Sequence, residues 1–139
     1  MPASNEEGVL NLSEIRRLYV RKKAGFRQGE ESLTAELKEV LGDRIEGCGI
    51  YHRYDVDGLS EDDYEKAVST VFSEPPVDSV ETELPKGDLV IGVEFLPGQY
   101  DQRADSAEQC LTIVTGKDGA RVRCALVYTF DGHFAEGDR

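Results

Sequence analysis

Four stretches of the chain alternate apolar and polar residues, which is the pattern of β-strands. The stretches are residues 16–22, 48–54, 89–95 and 121–130. The alternating positions are Leu18 and Val20; Cys48, Ile50, His52 and Tyr54; Leu89, Ile91, Val93 and Phe95; and Val122, Cys124, Leu126 and Tyr128. The third stretch is apolar on both faces, so we expect it to be a well-covered central strand. A further short strand is predicted at residues 78–84.

Three other segments have apolar residues spaced three and four apart, which predicts amphipathic helices. They cover residues 29–41, residues 60–72 and a stretch that ends near residue 115. The stripes expected to be buried are Leu33, Leu37, Val40 and Leu41; Tyr64, Ala67, Val68, Val71 and Phe72; and Ala104, Ala107, Cys110, Leu111 and Val114.

The residues that flank these segments are typical of helix ends. Gly42 suits the left-handed position that closes the first helix. Ser60 is the expected N-cap of the second helix, with Asp63 in the capping-box position. Asp101 or Asp105 is expected to cap the third helix.

The two halves of the chain follow one plan of strand, glycine loop, helix, strand and Asp-Gly turn. Gly25 precedes Gly58 by 33 residues, and Gly98 precedes Gly132 by 34 residues. Equal spacing of two β-α-β units suggests a tandem duplication. We therefore predict an α+β fold made of tandem modules, with a mixed sheet of about five strands and three helices on one side.

The domain boundaries follow from this duplication. We expect residues 1–14 to be a flexible N-terminal extension, residues 15–84 the first module, residues 89–132 the second module and residues 133–139 a tail. We expect the second module to be incomplete, because no counterpart of the second helix is visible in residues 133–139. A sheet needs its apolar face covered, so we expect further chain, a second copy or a partner to cover this one.

Composition and charge narrow the function classes. The chain has 139 residues, 39% hydrophobic and 32% charged, which suits one compact domain or two very small ones. Its net charge of −12 disfavours nucleic acid and anionic membranes as partners. Because no stretch reaches the ~18 apolar residues of a membrane span and no secretion signal is visible, a cytoplasmic location is expected.

Six basic residues without an intervening acid form one cluster near the N-terminus. They are Arg16, Arg17, Arg21, Lys22, Lys23 and Arg27. Without these six positive charges, the net charge of −12 becomes −18 for the remaining residues. The cluster is interpreted as a solvated face, with a phosphorylated ligand or an acidic partner surface as the alternative.

The sequence offers little catalytic chemistry, and no catalytic or metal-binding residue is predicted. Cys48, Cys110 and Cys124 are an odd number without a C-x-x-C pair, so we interpret them as small buried hydrophobic residues. The run DVDG at residues 55–58 has its glycine too early for a calcium loop. If the chain were a small enzyme, His52 with Cys48 or Tyr54 would be its best constellation.

The stretch LPGQYDQRADS at residues 96–106 gathers amides, acids and an arginine at a helix start. The candidates for an interface or structural network are Gln99, Asp101, Gln102, Arg103 and Asp105. Exposed N–H groups at such a start also suit an anion. A ligand-sensing module, with a nucleotide or amino acid held by residues 98–103, is therefore the alternative function.

Three runs carry a family resemblance. They are FLPGQYDQRADSAEQC at residues 95–110, YDVDGLS at residues 54–60 and VFSEPPVD at residues 71–78. With them, residues 15–131 resemble the N-terminal region of the large, single-chain form of phosphoribosylformylglycinamidine synthase.

The resemblance implies a role in purine biosynthesis. That ligase uses ATP and glutamine to convert formylglycinamide ribonucleotide to its amidine. Its N-terminal region is similar to a pair of PurS-type subunits and joins the synthetase part to the glutaminase part, which hold the ATP, Mg²⁺ and glutamine chemistry. The resemblance thus implies a non-catalytic assembly domain without its own cofactor, whose partners are those two parts or a second copy.

Overall fold

A computed structural model describes residues 15–134, which form one five-stranded sheet with three helices. The strands are β1 (Arg16–Lys22), β2 (Ile45–Asp57), β3 (Asp78–Glu81), β4 (Leu89–Glu94) and β5 (Arg121–Gly132). The helices are α1 (Gln28–Leu41), α2 (Glu61–Ala67, continued by a π-helical turn at Val68–Phe72) and α3 (Gln102–Thr115). The predicted extension at residues 1–14 and tail residues 135–139 lie outside the described residues.

The strand order is β3-β1-β2-β5-β4, and all four neighbouring pairs are antiparallel. The predicted α+β class is therefore confirmed, but the sheet is antiparallel throughout where a mixed sheet was expected. The reason lies in the connections. In each unit the chain leaves one strand and enters the next at the same end of the sheet, with α1 between β1 and β2 and α3 between β4 and β5.

One face of the sheet, called the helix face, carries the main core beneath α2 and α3. The buried residues of this core are Leu18, Val20, Tyr54, Val56, Ala67, Phe72, Ala104, Ala107, Leu111, Val122 and Cys124. Leu18 and Leu111 are fully buried, with 0% of their surface exposed. Burial of this apolar surface is the main stabilising contribution to the fold.

The predicted helix ends are largely confirmed. The Ser60 side chain accepts the Asp63 N–H at 3.2 Å, and the Asp101 side chain accepts the Ala104 N–H at 3.0 Å. Gly42 follows α1 with a φ of +60°, which glycine adopts readily, but its ψ of −135° shows that it does not take the left-handed helical conformation predicted for it.

Some of the predicted buried positions are wrong. Cys110 is exposed, because it lies off the stripe that Ala104, Ala107 and Leu111 form on α3. Val40 is 79% exposed, because it lies off the half-buried side of α1 that Leu33, Leu37 and Leu41 form.

The prediction of a central strand at residues 89–95 is also wrong, since β4 is the last strand of the sheet. Its side chains Leu89, Ile91 and Val93 are 37%, 43% and 51% exposed. The local pattern of apolar residues does not determine the order of strands in a sheet. Here β5 lies between β2 and β4, so β4 is at the edge.

The opposite face of the sheet, called the strap face, has no helix among the described residues. Because β3 and β4 lie at opposite edges, residues 82–88 cross this face to connect them. The crossing segment buries Pro85 and lies over a small cluster of Tyr19, Tyr51 and Val127. The segment between the two predicted modules thus lies on part of the strap face.

Candidate functional site

The β1-α1-β2 and β4-α3-β5 units have matching registers. Val20 lies opposite His52 in the first unit, and Val93 lies opposite Leu126 in the second. From Val20 to Val93 is a step of 73 residues, and from His52 to Leu126 is a step of 74 residues. The same steps carry the whole β1-β2 pairing onto the β4-β5 pairing, as a duplicated unit would give.

The helices and loops of the two units agree with this match. Helices α1 and α3 each have 14 residues. Gly25 and Gly98, which are 73 residues apart, both have positive φ angles of +93° and +86°. The two units therefore have equivalent positions that can be compared residue by residue.

In the first unit, four helix-face residues are covered by α2. They are called the first apolar floor and are Leu18, Val20, Tyr54 and Val56. Their exposed fractions are 0%, 5%, 5% and 1%. Ala67 and Phe72 of α2 pack on them as part of the same core cluster.

The equivalent residues of the second unit are called the second apolar floor and are Ile91, Val93, Tyr128 and Phe130. Ile91 and Val93 are 43% and 51% exposed, and the rings of Tyr128 and Phe130 are half-buried. The two rings stack with their centroids 6.2 Å apart. No helix among the described residues lies over them, so an apolar surface remains open.

This open surface is larger than the second apolar floor itself. Leu89 adjoins it on β4, and Phe95 and Leu96 follow the same strand with 48% and 68% of their surface exposed. A contiguous apolar area of this kind is typical of an interaction surface. It is the first part of the candidate site.

Beside the floor, Asp101 binds two N–H groups. One carboxylate oxygen accepts the Ala104 N–H at 3.0 Å, and the other accepts the Cys124 N–H at 3.2 Å. Glu108 similarly accepts the Val122 N–H at 2.9 Å. The pairing of β4 with β5 ends at Glu94 and Ala125. Beyond that point the two acids accept β5 N–H groups that a neighbouring strand would otherwise bind.

In the first unit, Glu30 binds a strand N–H group in the same way. Its carboxylate accepts the N–H of Ile50, the equivalent of Cys124, at 3.0 Å. It also binds Arg21 through two hydrogen bonds of 2.7 and 2.8 Å. These bonds and Arg21 lower the pKa of Glu30, although burial acts in the opposite direction and is the largest single influence.

The remaining candidates from residues 96–106 make local contacts. The Gln99 side chain accepts the Leu96 N–H at 2.7 Å and closes its own turn. Asp105 accepts hydrogen bonds of 3.0 Å from Tyr100 and from Gln109. Gln102 is exposed and lines a shallow cavity on α3. Four of the five predicted network residues thus make side-chain hydrogen bonds.

Arg103 has the most distinctive surroundings of the five. It does not bridge Asp101 or Asp105, but donates to the Tyr54 hydroxyl at 3.1 Å. It lines two cavities of about 380 Å³, and His52 lines both as well. Among the described residues Arg103 makes no ion pair, so the guanidinium has capacity for a carboxylate or phosphate.

His52 lies between these two cavities on the helix face. Burial, and then the nearby charges of Arg103 and Lys22, lower its pKa to about 4. The imidazole is therefore neutral at physiological pH.

The basic cluster of the N-terminal region is largely neutralised within the fold. Four of its six members form ion pairs, which are Arg16 with Glu61, Arg17 with Asp55, Arg21 with Glu30 and Lys22 with Asp78. These four side chains are thus paired with acids of the chain itself.

Two of the thiols and the possible calcium loop make contacts within the fold. Cys48 donates to the Glu30 carbonyl at 3.3 Å, while burial raises the pKa of Cys124 to about 12. Asp55 lies in β2 and binds Arg17. Within residues 15–134, no group of three or more His, Cys, Asp or Glu residues is placed to hold a metal ion.

Sequence reasoning missed the acids that serve the open strand N–H groups, Glu30 and Glu108. It also missed Arg53 on the strap face, which contacts Glu94 and Asp55 and has a buried Nε without a hydrogen-bond partner. The only sequence signal for Glu30 and Glu108 is that each acid lies on a helix next to a strand that is longer than the strand it pairs with.

No protein-family model, curated protein or solved structure matches the chain. The helices of the described part are also too short and too polar to cross a membrane.

Proposed function

We propose that this chain is a non-catalytic assembly domain of phosphoribosylformylglycinamidine synthase, which joins the synthetase and glutaminase parts in purine biosynthesis. The observation that carries the proposal is the open second apolar floor. Ile91 and Val93 are 43% and 51% exposed there, whereas Leu18 and Val20 at the equivalent positions are 0% and 5% exposed. A surface that is covered in one unit and open in the other is suited to a protein partner.

The family part of the proposal rests on the resemblance of residues 54–60, 71–78 and 95–110. The matching registers of the two units support it, because the family's N-terminal region is similar to a pair of PurS-type subunits. In this proposal ATP, Mg²⁺ and glutamine are bound by the partner parts in the cytoplasm, and this chain provides no catalytic residue.

The test mixes the purified chain with purified synthetase and glutaminase parts of the enzyme from the same source. Calorimetry should give saturable binding to at least one part, and glutamine-dependent amidation should require all three components. Ile91→Lys places a charge on the floor and should weaken binding at least tenfold. Ile113→Lys, at an α3 position that is 81% exposed, is the matched control. Absence of binding to both parts would contradict the proposal.

A ligand-sensing module is the second candidate, and Arg103 favours it. The guanidinium borders two cavities of about 380 Å³ without an ion pair among the described residues. ATP, glutamine and a ribonucleotide at millimolar concentration should then raise the melting temperature, and Arg103→Gln should remove the effect. Unchanged melting temperatures with all three would exclude this candidate.

A further inference from the structure

One cavity on the helix face is lined by cations from two distant parts of the chain. It has a volume of about 380 Å³ and lies between the start of α1, strands β1 and β2, the end of α2 and the start of α3. Lys22 and Arg27 belong to the basic cluster near the N-terminus, and Arg103 lies on α3. We call this space the arginine cavity. The charged side chains that line it are Lys22, Arg27, Glu30, Asp78 and Arg103.

The two acids of the arginine cavity already have cationic partners. Glu30 accepts two hydrogen bonds of 2.7 and 2.8 Å from Arg21, which lies outside the cavity. Asp78 pairs with Lys22 at 3.0 Å and also accepts the Glu74 N–H at 2.8 Å. Each carboxylate is therefore neutralised by a cation of its own.

The two arginines of the cavity have no acidic partner in the part of the chain that the structure describes. Arg27 donates to the Lys22 carbonyl at 2.6 Å, and Arg103 donates to the Tyr54 hydroxyl at 3.1 Å. Both acceptors are neutral, so the two positive charges remain uncompensated. Because the chain as a whole carries a net charge of −12, this cavity is a local exception to its charge.

The other walls of the arginine cavity suit the remainder of an organic anion. Phe26, which is 47% exposed, and Phe72 provide aromatic surface. His52 also lines the cavity, and its pKa of about 4 keeps the imidazole neutral at physiological pH. A neutral imidazole can donate one N–H to an oxygen of a ligand without adding charge. The volume falls within the range of small-molecule sites.

We infer that the arginine cavity binds a small phosphomonoester. Arg27 and Arg103 hold the phosphate group, and the two phenylalanine rings contact the organic part. A phosphomonoester carries a charge of about −2 at pH 7, which matches two uncompensated guanidiniums, whereas a single carboxylate carries half of that charge. Guanidinium N–H groups also bind phosphate oxygens in bidentate pairs. The inference gives the ligand-sensing candidate a chemical class and rests on that candidate, not on the assembly role.

The probe is phenyl phosphate, which joins a phosphate group to one aromatic ring. Benzoate, a monoanion with the same ring, is the matched ligand. Each is added to the isotope-labelled full chain and followed by nuclear magnetic resonance. For phenyl phosphate we expect saturable shifts at Arg27, His52 and Arg103, with a Kd of about 1 mM or lower. Benzoate should bind at least tenfold more weakly, because it carries less charge and fewer acceptor oxygens.

The titration of His52 gives a second reading of the same event. Bound phenyl phosphate should move the midpoint of the His52 ring resonances upward from about 4, because a neighbouring anion favours the imidazolium form. Benzoate at the same concentration should move it less.

Matched variants test which side chains hold the phosphate group. Arg27→Gln and Arg103→Gln should each weaken phenyl phosphate at least tenfold, since each removes one guanidinium. Arg103→Lys should retain part of the affinity, because it keeps the charge but not the bidentate geometry. Arg123→Gln is the control and should leave the affinity unchanged, because Arg123 is an exposed arginine on the strap face. Folding of each variant is checked by the dispersion of its amide spectrum.

Three results would overturn the inference. They are absence of saturable shifts at about ten times the Kd stated above, benzoate binding as tightly as phenyl phosphate, and an affinity that Arg27→Gln and Arg103→Gln leave unchanged.

Melting temperatures with ATP, glutamine and a ribonucleotide separate this failure from that of the ligand-sensing candidate. If one of these ligands stabilises the chain while phenyl phosphate does not bind, the inference fails alone. If phenyl phosphate binds but none of the three stabilises the chain, the ligand-sensing candidate fails alone. Binding to the purified synthetase and glutaminase parts tests the assembly role independently of this cavity.

Discussion

The Asp101 carboxylate joins the start of α3 to the backbone of Cys124. One of its oxygens caps the helix at Ala104, and the other accepts the Cys124 N–H at 3.2 Å. The acid therefore fixes the helix to β5 at the point where the pairing with β4 ends at Ala125. Because Asp101 binds both the helix start and the strand, it has a structural role beside the open floor.

Asp101→Ala is expected to destabilise the fold by about 1–3 kcal/mol, because it removes a helix cap and leaves a strand N–H without its partner. Urea unfolding measures the change. Asp105→Ala, which loses only exposed side-chain contacts, should cost less than about 1 kcal/mol. Equal losses for the two variants would contradict a stabilising role for the two bonds that Asp101 makes to Ala104 and Cys124.

Alanine at the two equivalent floor positions should have unequal effects. Leu18→Ala opens a cavity at a residue that is 0% exposed and should cost about 2–5 kcal/mol. Ile91→Ala, at a residue that is 43% exposed, should cost about 1 kcal/mol or less, because solvent already reaches the side chain. Denaturant unfolding compares them directly. A loss at Ile91 as large as that at Leu18 would mean that the second floor is covered in the isolated chain.

His52 predicts a pH dependence of stability. Burial and the nearby cations lower its pKa from 6.5 to about 4 in the folded chain. The unfolded chain therefore binds a proton more readily, and the stability that this group contributes is lost as the pH falls from about 6.5 to about 4.

The comparison of wild type with His52→Gln isolates this effect from the acids of the chain. Unfolding free energies measured from pH 7.5 to pH 4 should fall less steeply for the variant. The His52 ring resonances should titrate with a midpoint near 4. A midpoint near the ordinary value of 6.5 would contradict the burial of this ring beside Arg103 and Lys22.

Local features of the fold were predictable from sequence because local chemistry determines them. Ser60 and Asp101 have the side chains that helix starts require, and both act as N-caps. Gly25 and Gly98 revealed the spacing of the two units, and the matching registers agree with it.

Features that depend on the order of strands could not be predicted in this way. The apolar run at residues 89–95 indicates a buried strand wherever it lies, and only the long-range pairing of β2 with β5 leaves β4 at the edge. The site was foreseen only in outline. The expectation of an uncovered sheet face in the second half agrees with the exposure of Ile91 and Val93. The contact of Arg103 with Tyr54 joins residues 49 positions apart and has no local signal.

Hydroxyl-radical footprinting of the two floors tests the central claim most directly, since it compares chemically similar residues in one molecule. In the isolated chain, Ile91 and Tyr128 should be oxidised several times faster than Leu18 and Tyr54. In the complex with the synthetase and glutaminase parts, the rates at Ile91 and Tyr128 should fall to those of the first floor. Equal protection of both floors in the isolated chain, or unchanged oxidation of the second floor in the complex, would contradict the account.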